Sequence, residues 1–404
     1  MNKRISLGLT VALILLSITA TFAITMTVSQ NIYNGLISKL SNRFELYEGI
    51  SAIDNFVRTN FYGEFDDDSL FARSAEGYMK GLKDSGSYYM TAQDYIEYTR
   101  RLKGEGGIGV AAQYDSEKGK VVITEVYSGS SAENAELKKG DAIVSVNDEA
   151  VSVSNAASVI ESLQIGRRFE SVNITYERGG TTKTVSVMRG YTKTVTSSYM
   201  GGVGYIRISG FYENTASQFQ AEIDSLNAQG VTSLILDLRN CKDGTMDYAS
   251  AVADILLPSG AESATAVASA IKSDGSVYKN FTSDASAITF PGGIIVLVNG
   301  STSGGAELLA AQLKAFSKAV ISGSTTAGQM TLQEIYTLED GSAISLTIAK
   351  IVCYSGAEYY GGNGIEPDMP VEFTAGSTLA TSLEGLATDS QLQAAYAKFV
   401  QTAA

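Results

Sequence analysis

Ile294-Ile-Val-Leu-Val-Asn-Gly-Ser-Thr-Ser-Gly-Gly-Ala-Glu307 is the stretch on which the fold turns. Ile294 to Val298 is an unbroken apolar run, the pattern of a strand buried on both faces. Gly300 to Glu307 is a loop of small residues, and an apolar helix is expected from about Leu308 to Phe316. A second strand, Ala319 to Ser322, leads into another glycine-containing loop, Gly323-Ser-Thr-Thr-Ala-Gly-Gln329, and on to Met330-Thr-Leu-Gln333. Strand, loop, helix and strand in that order make a βαβ unit, and its two strands should lie parallel.

The same alternation extends upstream. Val203 to Ser209 reads as a strand, Ala216 to Ala228 as an amphipathic helix, Thr232 to Leu238 as a buried strand and Met246 to Leu257 as a helix. A mainly parallel sheet covered by helices binds ligands beyond the carboxyl ends of its strands. Asn240 to Gly244 and Asn299 to Glu307 should both lie there. Thr331 to Leu338 and Ala343 to Ile348 read as a hairpin across Glu339-Asp-Gly341. The chain has only four prolines, so Pro367 and Pro370, close together after Gly361-Gly-Asn-Gly-Ile-Glu366, should fix a specific turn.

Between about Lys103 and Arg189 the pattern changes to short alternating strands. Gly106-Gly-Ile-Gly-Val110 precedes Val121 to Val126, and a short helix at Ser131 to Leu137 precedes Lys139-Gly-Asp-Ala-Ile-Val-Ser-Val-Asn147. A helix from Ala156 to Leu163 and strands from Ser171 to Tyr176 and Lys183 to Met188 complete the unit. Nearer the start, Ile32, Leu36, Leu40 and Phe44 recur at helical spacing, followed by Ile50, Ile53, Val57 and Phe61. Gly63 to Asp68 interrupts this pattern, and a further helix is expected to about Leu82. Leu7 to Val28 carries no charge and follows Lys3 and Arg4. It is long enough to span a bilayer, which would leave the N-terminus cytoplasmic and the bulk of the chain outside. A cleaved signal peptide with Thr21-Phe22-Ala23 at its site is the competing reading; the length favours an anchor.

At 404 residues the chain can build two or three cores. A net charge of -13 argues against nucleic acid, whose phosphates require a basic surface. The chain has no histidine, which excludes a Ser-His-Asp or Cys-His mechanism and any His-ligated zinc. No cofactor or metal is expected. Cys241 and Cys353 fit either a disulfide formed outside the cell or two isolated buried thiols.

The strand-loop-helix-strand-loop order at Ile294 to Gln333, the Gly204 to Arg239 segment and Gly364-Ile-Glu-Pro-Asp368 together resemble the C-terminal (tail-specific) processing peptidases. Lys103 to Arg189, above all its Gly-Asp-x-Ile-x-x-Val-Asn turn, resembles the PDZ domain these peptidases carry. The resemblance implies an α/β protein whose mainly parallel βαβ core is of the ClpP/crotonase-like kind. It also implies an inserted, mostly β PDZ domain, and the anchor and N-terminal helices complete the expected architecture. The expected segments are 1–5 cytoplasmic, 6–28 transmembrane, 29–102 helical, 103–190 PDZ, 191–375 core and 376–404 a C-terminal helical piece.

In active members a serine at the start of the helix attacks the peptide carbonyl, and a lysine from the second loop takes its proton. A glutamine four residues on positions that lysine. Counting from Glu307, which the family shares, the serine position falls on Gly304, the lysine position on Gln329 and the glutamine on Gln333. Glycine offers no nucleophile, and a glutamine amide cannot accept a proton at neutral pH. The oxyanion loop differs too. Asn240-Cys-Lys-Asp-Gly244 stands where the family has Asn-Asn-Pro-Gly-Gly, so the donor positions are Gly244 and Gly305, with Asp243 beside them.

The chain therefore reads as a catalytically degenerate member that binds peptide or protein C-termini. Its PDZ loop, Gly107, Ile108, Gly109 and Val110, would supply backbone N–H groups to a terminal carboxylate. The alternative is an active serine-type endopeptidase with a relocated nucleophile, Ser303 or Ser301, and Lys242 as base. Cys241 is a further candidate nucleophile without a histidine to activate it. The plainer reading of Ser301 and Ser303 is that they cap the helix. Beyond C-termini, the expected partners are the membrane, through the anchor, and either an active paralogue or a second copy of the chain.

Overall fold

Ser233–Asp237 is buried at every position, as expected for a central strand with packing on both faces. In the computed structural model, which describes residues 7–127, 130–258, 265–283 and 287–402, it lies in a six-stranded sheet. The spatial order is Met369–Pro370, Ala319–Gly323, Gly293–Val298, Ser233–Asp237, Val203–Ile208 and Val195–Met200. All neighbours run parallel except the last pair.

Alternate residues of these strands face opposite layers. Ile206, Leu234, Leu236, Val296 and Ile321 join one core with residues of the helices Thr215–Ala228, Met246–Leu256 and Gly305–Ala315. Tyr205, Ile235, Ile295 and Leu297 face the other way, onto Leu392, Ala395 and Phe399 of the C-terminal helix Ser390–Thr402.

That second face is pinned by a wholly buried ion network. Arg239 pairs with Asp237 at 2.6 Å and with Asp389 at 2.9 Å, and the Tyr205 hydroxyl donates to Asp237 at 2.7 Å. Arg239 directly precedes the loop Asn240 to Gly244, so the network anchors one wall of the expected site.

A second sheet joins Thr331–Thr337, Ala343–Cys353, Thr265–Ile271 and Val277–Ser283. Tyr88–Met90 adds to it antiparallel, pairing Tyr88 with Ser345. The expected all-helical stretch 29–102 therefore contains one strand. A third sheet has six strands: Val110–Asp115, Lys120–Val126, Ala142–Val146, Ser171–Arg178 and Thr181–Met188 in that order, with Glu149–Ala150 paired to Ala142–Val146 off this path. Its own core combines Ile108, Val121, Ile143, Ile174 and Val187 with Val159 and Leu163 of the helix Ala156–Gln164.

At the start of the chain a single helix spans Leu7–Asn60, and Asp67–Lys80 forms the next. Among the described residues no helix is long and apolar enough to cross a membrane. This overturns the expected anchor over 6–28 and, with it, the single-pass membrane location and the membrane as a partner. The expected cytoplasmic segment 1–5 lies outside the described residues. Ser17, Thr19, Thr21, Thr25, Thr27 and Ser29 alternate with the apolar residues after Leu16. Thr27 donates to the Ala23 carbonyl at 2.8 Å.

Candidate active site

Two loops at the carboxyl ends of adjacent parallel strands build the site. Asn240, in a left-handed conformation with φ 60°, and Asn299 clasp each other. The Asn240 N–H donates to Asn299 Oδ1 at 3.0 Å, and Asn299 Nδ2 donates to Asn240 Oδ1 at 2.8 Å. The Thr302 hydroxyl donates to the Leu238 carbonyl at 2.9 Å, and the Ser303 N–H donates to the Cys241 carbonyl at 3.1 Å. Hydrogen bonds between the loops thus hold 240–244 against 299–304.

Gly304 is the N-cap of the helix Gly305–Ala315, with φ 60° and ψ −119°, a region that residues with a side chain rarely enter. A Cβ built there would meet nothing within 4 Å. The capping group is Glu307, not Ser301 or Ser303 as the sequence suggested. Its wholly buried carboxylate accepts from the Gly304 N–H at 3.2 Å, the Gly328 N–H at 2.7 Å, the Gln329 N–H at 2.8 Å and the Thr326 hydroxyl. Burial raises the Glu307 pKa above the ordinary carboxylate value, and the four donors oppose that shift. Glu307 had served only to fix the count along the sequence. Its position three residues after an N-cap was the signal that it would reach back.

A cleft of about 420 Å³ opens here, and Ser303, Gly304, Gly305, Gln329 and Gln333 line it on one side, with Lys242, Asp243 and Gly244 on the other. Every core residue expected to matter, apart from Ser301 and Cys241, lies on this one cleft. Gln329 is exposed. Gln333 Nε2 donates to the hydroxyls of Thr331 at 2.8 Å and Thr347 at 3.2 Å. Among the described residues no hydrogen bond joins Ser303 to Lys242.

Asp243–Gly244 pairs in parallel with Gly210–Phe211. Gly244, at φ 106°, lies so close that a Cβ would overlap the Phe211 carbonyl. Cys241 and Cys353 are both free and buried. Burial raises the Cys241 thiol pKa far above its usual range, which removes it as a nucleophile. Tyr88, Tyr98, Arg101 and Tyr212 are among the other residues that line the cleft.

The segment 202–371 matches peptidase family S41, and 106–188 matches the PDZ domain. The carboxy-terminal processing protease CtpA of Bacillus subtilis (strain 168) is 28% identical to the chain over 320 residues, which is 78% of this chain and 67% of that protein. A probable CtpA-like serine protease of Staphylococcus aureus (strain COL) is 26% identical over 325 residues, which is 80% of this chain. The match spans 64% of the length of that staphylococcal relative. Among solved structures, a photosystem II D1 C-terminal processing protease aligns with a TM-score of 0.48 and 24% identity, covering 83% of this chain and 89% of that one.

The PDZ loop does not leave all its N–H groups free for a ligand. The Ile108 N–H donates to the Leu163 carbonyl at 2.9 Å. A Cβ on Gly107 would overlap that same carbonyl, and one on Gly109 would overlap Ser130. The fold uses the missing Cβ atoms for close packing. Val110 opens the edge strand Val110–Asp115, which pairs on only one side.

Proposed function

We propose that this chain is a catalytically inert member of peptidase family S41, a binding protein built on a C-terminal processing peptidase. On this reading Gly304 stands in the place of the nucleophilic serine, Gln329 in that of the base lysine, and Gln333 keeps the positioning place. Peptide or protein C-termini are its ligands, taken up through the PDZ domain along the edge strand Val110–Asp115.

One observation carries the reading. The backbone N–H groups of Gly304 and Gln329 donate to the same Glu307 oxygen, Oε2, and both residues line the same cleft. Side chains at these two positions would start from neighbouring points. That suits a nucleophile and its base, yet neither group is present.

Restoring the chemistry tests this. Gly304→Ser with Gln329→Lys, together with Asp243→Gly to remove the carboxylate beside the oxyanion position, should create cleavage of an unstructured protein where the unaltered chain yields none. The open space around Gly304 favours a serine there, although its backbone conformation costs such a residue about 1–3 kcal/mol. The competing reading is an active peptidase using Ser303 and Lys242. It has the shared cleft in its favour and lacks a hydrogen bond between the pair. Cleavage by the unaltered chain that disappears in Ser303→Ala or Lys242→Ala would establish it and overturn inertness.

A further inference from the structure

The cleft carries an excess of hydrogen-bond donors over acceptors. Arg101 and Lys242 both line it, and among the described residues neither is engaged in an ion pair. That is notable in a chain whose net charge is -13. The hydroxyls of Tyr98 and Tyr212 also line it and have no hydrogen-bond partner among the described residues. Burial pushes Tyr98 up to about 12, and burial with the nearby Asp243 charge pushes Tyr212 up to about 12. Both phenols therefore stay protonated and able to donate. Two carboxylates face the same space. Asp247 is paired with Lys279, which leaves Asp243 as the acceptor that opposes an anion.

We propose that this cleft holds a carboxylate carried by an extended peptide, with Arg101 and Lys242 as its cationic contacts and the Tyr98 and Tyr212 hydroxyls as neutral donors. The proposal rests on the reading of the chain as an inert peptide-binding protein and adds a second binding site to it, separate from the PDZ strand. The chemistry is complementary: a carboxylate accepts from several donors at once, and a guanidinium offers it a planar fork. A peptidase must release the carboxylate that cleavage creates beside its nucleophile. A chain with Gly304 in that place has no turnover to protect and can retain such a group.

The test uses the full chain and three peptides of one sequence. One ends in a free carboxylate, one in an amide, and one in an amide with a glutamate placed internally; binding is followed by calorimetry. Each also carries a benzophenone, so that cross-links can be mapped by mass spectrometry. The free-acid peptide should bind and cross-link within Tyr88 to Leu102 or Ser303 to Gly305, and the plain amide should bind at least tenfold more weakly. Recovery of binding by the glutamate peptide would identify side-chain carboxylates as ligands as well; no recovery would restrict the site to chain ends.

Arg101→Ala and Lys242→Ala should each weaken the free-acid peptide by about tenfold. Asp243→Asn should tighten it several-fold, a gain that misfolding cannot produce. Cross-links confined to 107–115, with affinity unchanged in all three variants, would overturn the cleft site while leaving PDZ binding intact. Failure of every peptide to bind would overturn both.

Discussion

Gly107 and Gly304 each leave out a side chain, and the two loops use the vacated space differently. At Gly107 the Leu163 carbonyl occupies the place of the Cβ, so the glycine lets a helix end and a loop meet. At Gly304 nothing lies within 4 Å of that place, and only the backbone angles favour glycine. Packing therefore explains the first glycine and not the second. Around Gly304 there is room for a side chain, as the proposed loss of a reactive group from a site with intact walls requires.

The hub beneath Gly304 gives the largest expected effect. Glu307→Ala would strip the acceptor from three backbone N–H groups and one hydroxyl in a buried setting. Unpaired buried donors cost about 1–3 kcal/mol each, partly offset by removing a buried charge, so a net loss of about 4 kcal/mol is expected in urea denaturation. A loss under about 1 kcal/mol would mean that the two loops hold together without it, and the preserved-walls side of the comparison would fail.

Gly107→Ala comes next. Its Cβ would overlap backbone rather than a yielding side-chain tip, so about 3 kcal/mol of destabilisation is expected. It should appear as faster hydrogen exchange in Val110–Asp115 and in Ala156–Gln164. Gly304→Ala should cost only about 1 kcal/mol, the backbone penalty alone. If the two alanines ranked in the reverse order, the contrast between a packed and a vacated glycine would be wrong.

The two loops also differ in how much of them could be read from the sequence. Ile294 to Val298 and Leu234 to Leu236 are apolar runs buried on both faces, and such runs reveal a parallel core directly. Counting along the sequence from Glu307 picked out Gly304 and Gln329, and both line the same cleft. The lining residues far upstream could not be picked out in this way. Tyr88, Tyr98 and Arg101 reach the cleft from about two hundred residues upstream, through a strand of only three residues, Tyr88–Met90. Thr265–Ile271 and Val277–Ser283 are rich in small and polar residues, so their alternation is faint. The expected membrane anchor is not supported: among the described residues no helix is long and apolar enough to cross a membrane.

The smallest effect separates the loops by titration. Main-chain amides and carbonyls hold Gly107, and these do not change charge with pH. Gly304 is held by a carboxyl whose folded pKa is raised above its ordinary 4.5, chiefly by burial. A raised carboxyl favours the protonated fold. Its stabilising contribution is full below about pH 4.5 and is lost as pH climbs through the raised value. Glu307→Gln removes that titration while keeping an acceptor oxygen. The unaltered chain should therefore lose stability relative to the Gln variant as pH rises from 4.5 toward neutrality, and Gly107→Ala should leave that slope unchanged. The opposite slope would mean that the four donors outweigh burial and that Glu307 works as an ionised clamp. The two loops would then differ by a fixed charge as well as by an empty space.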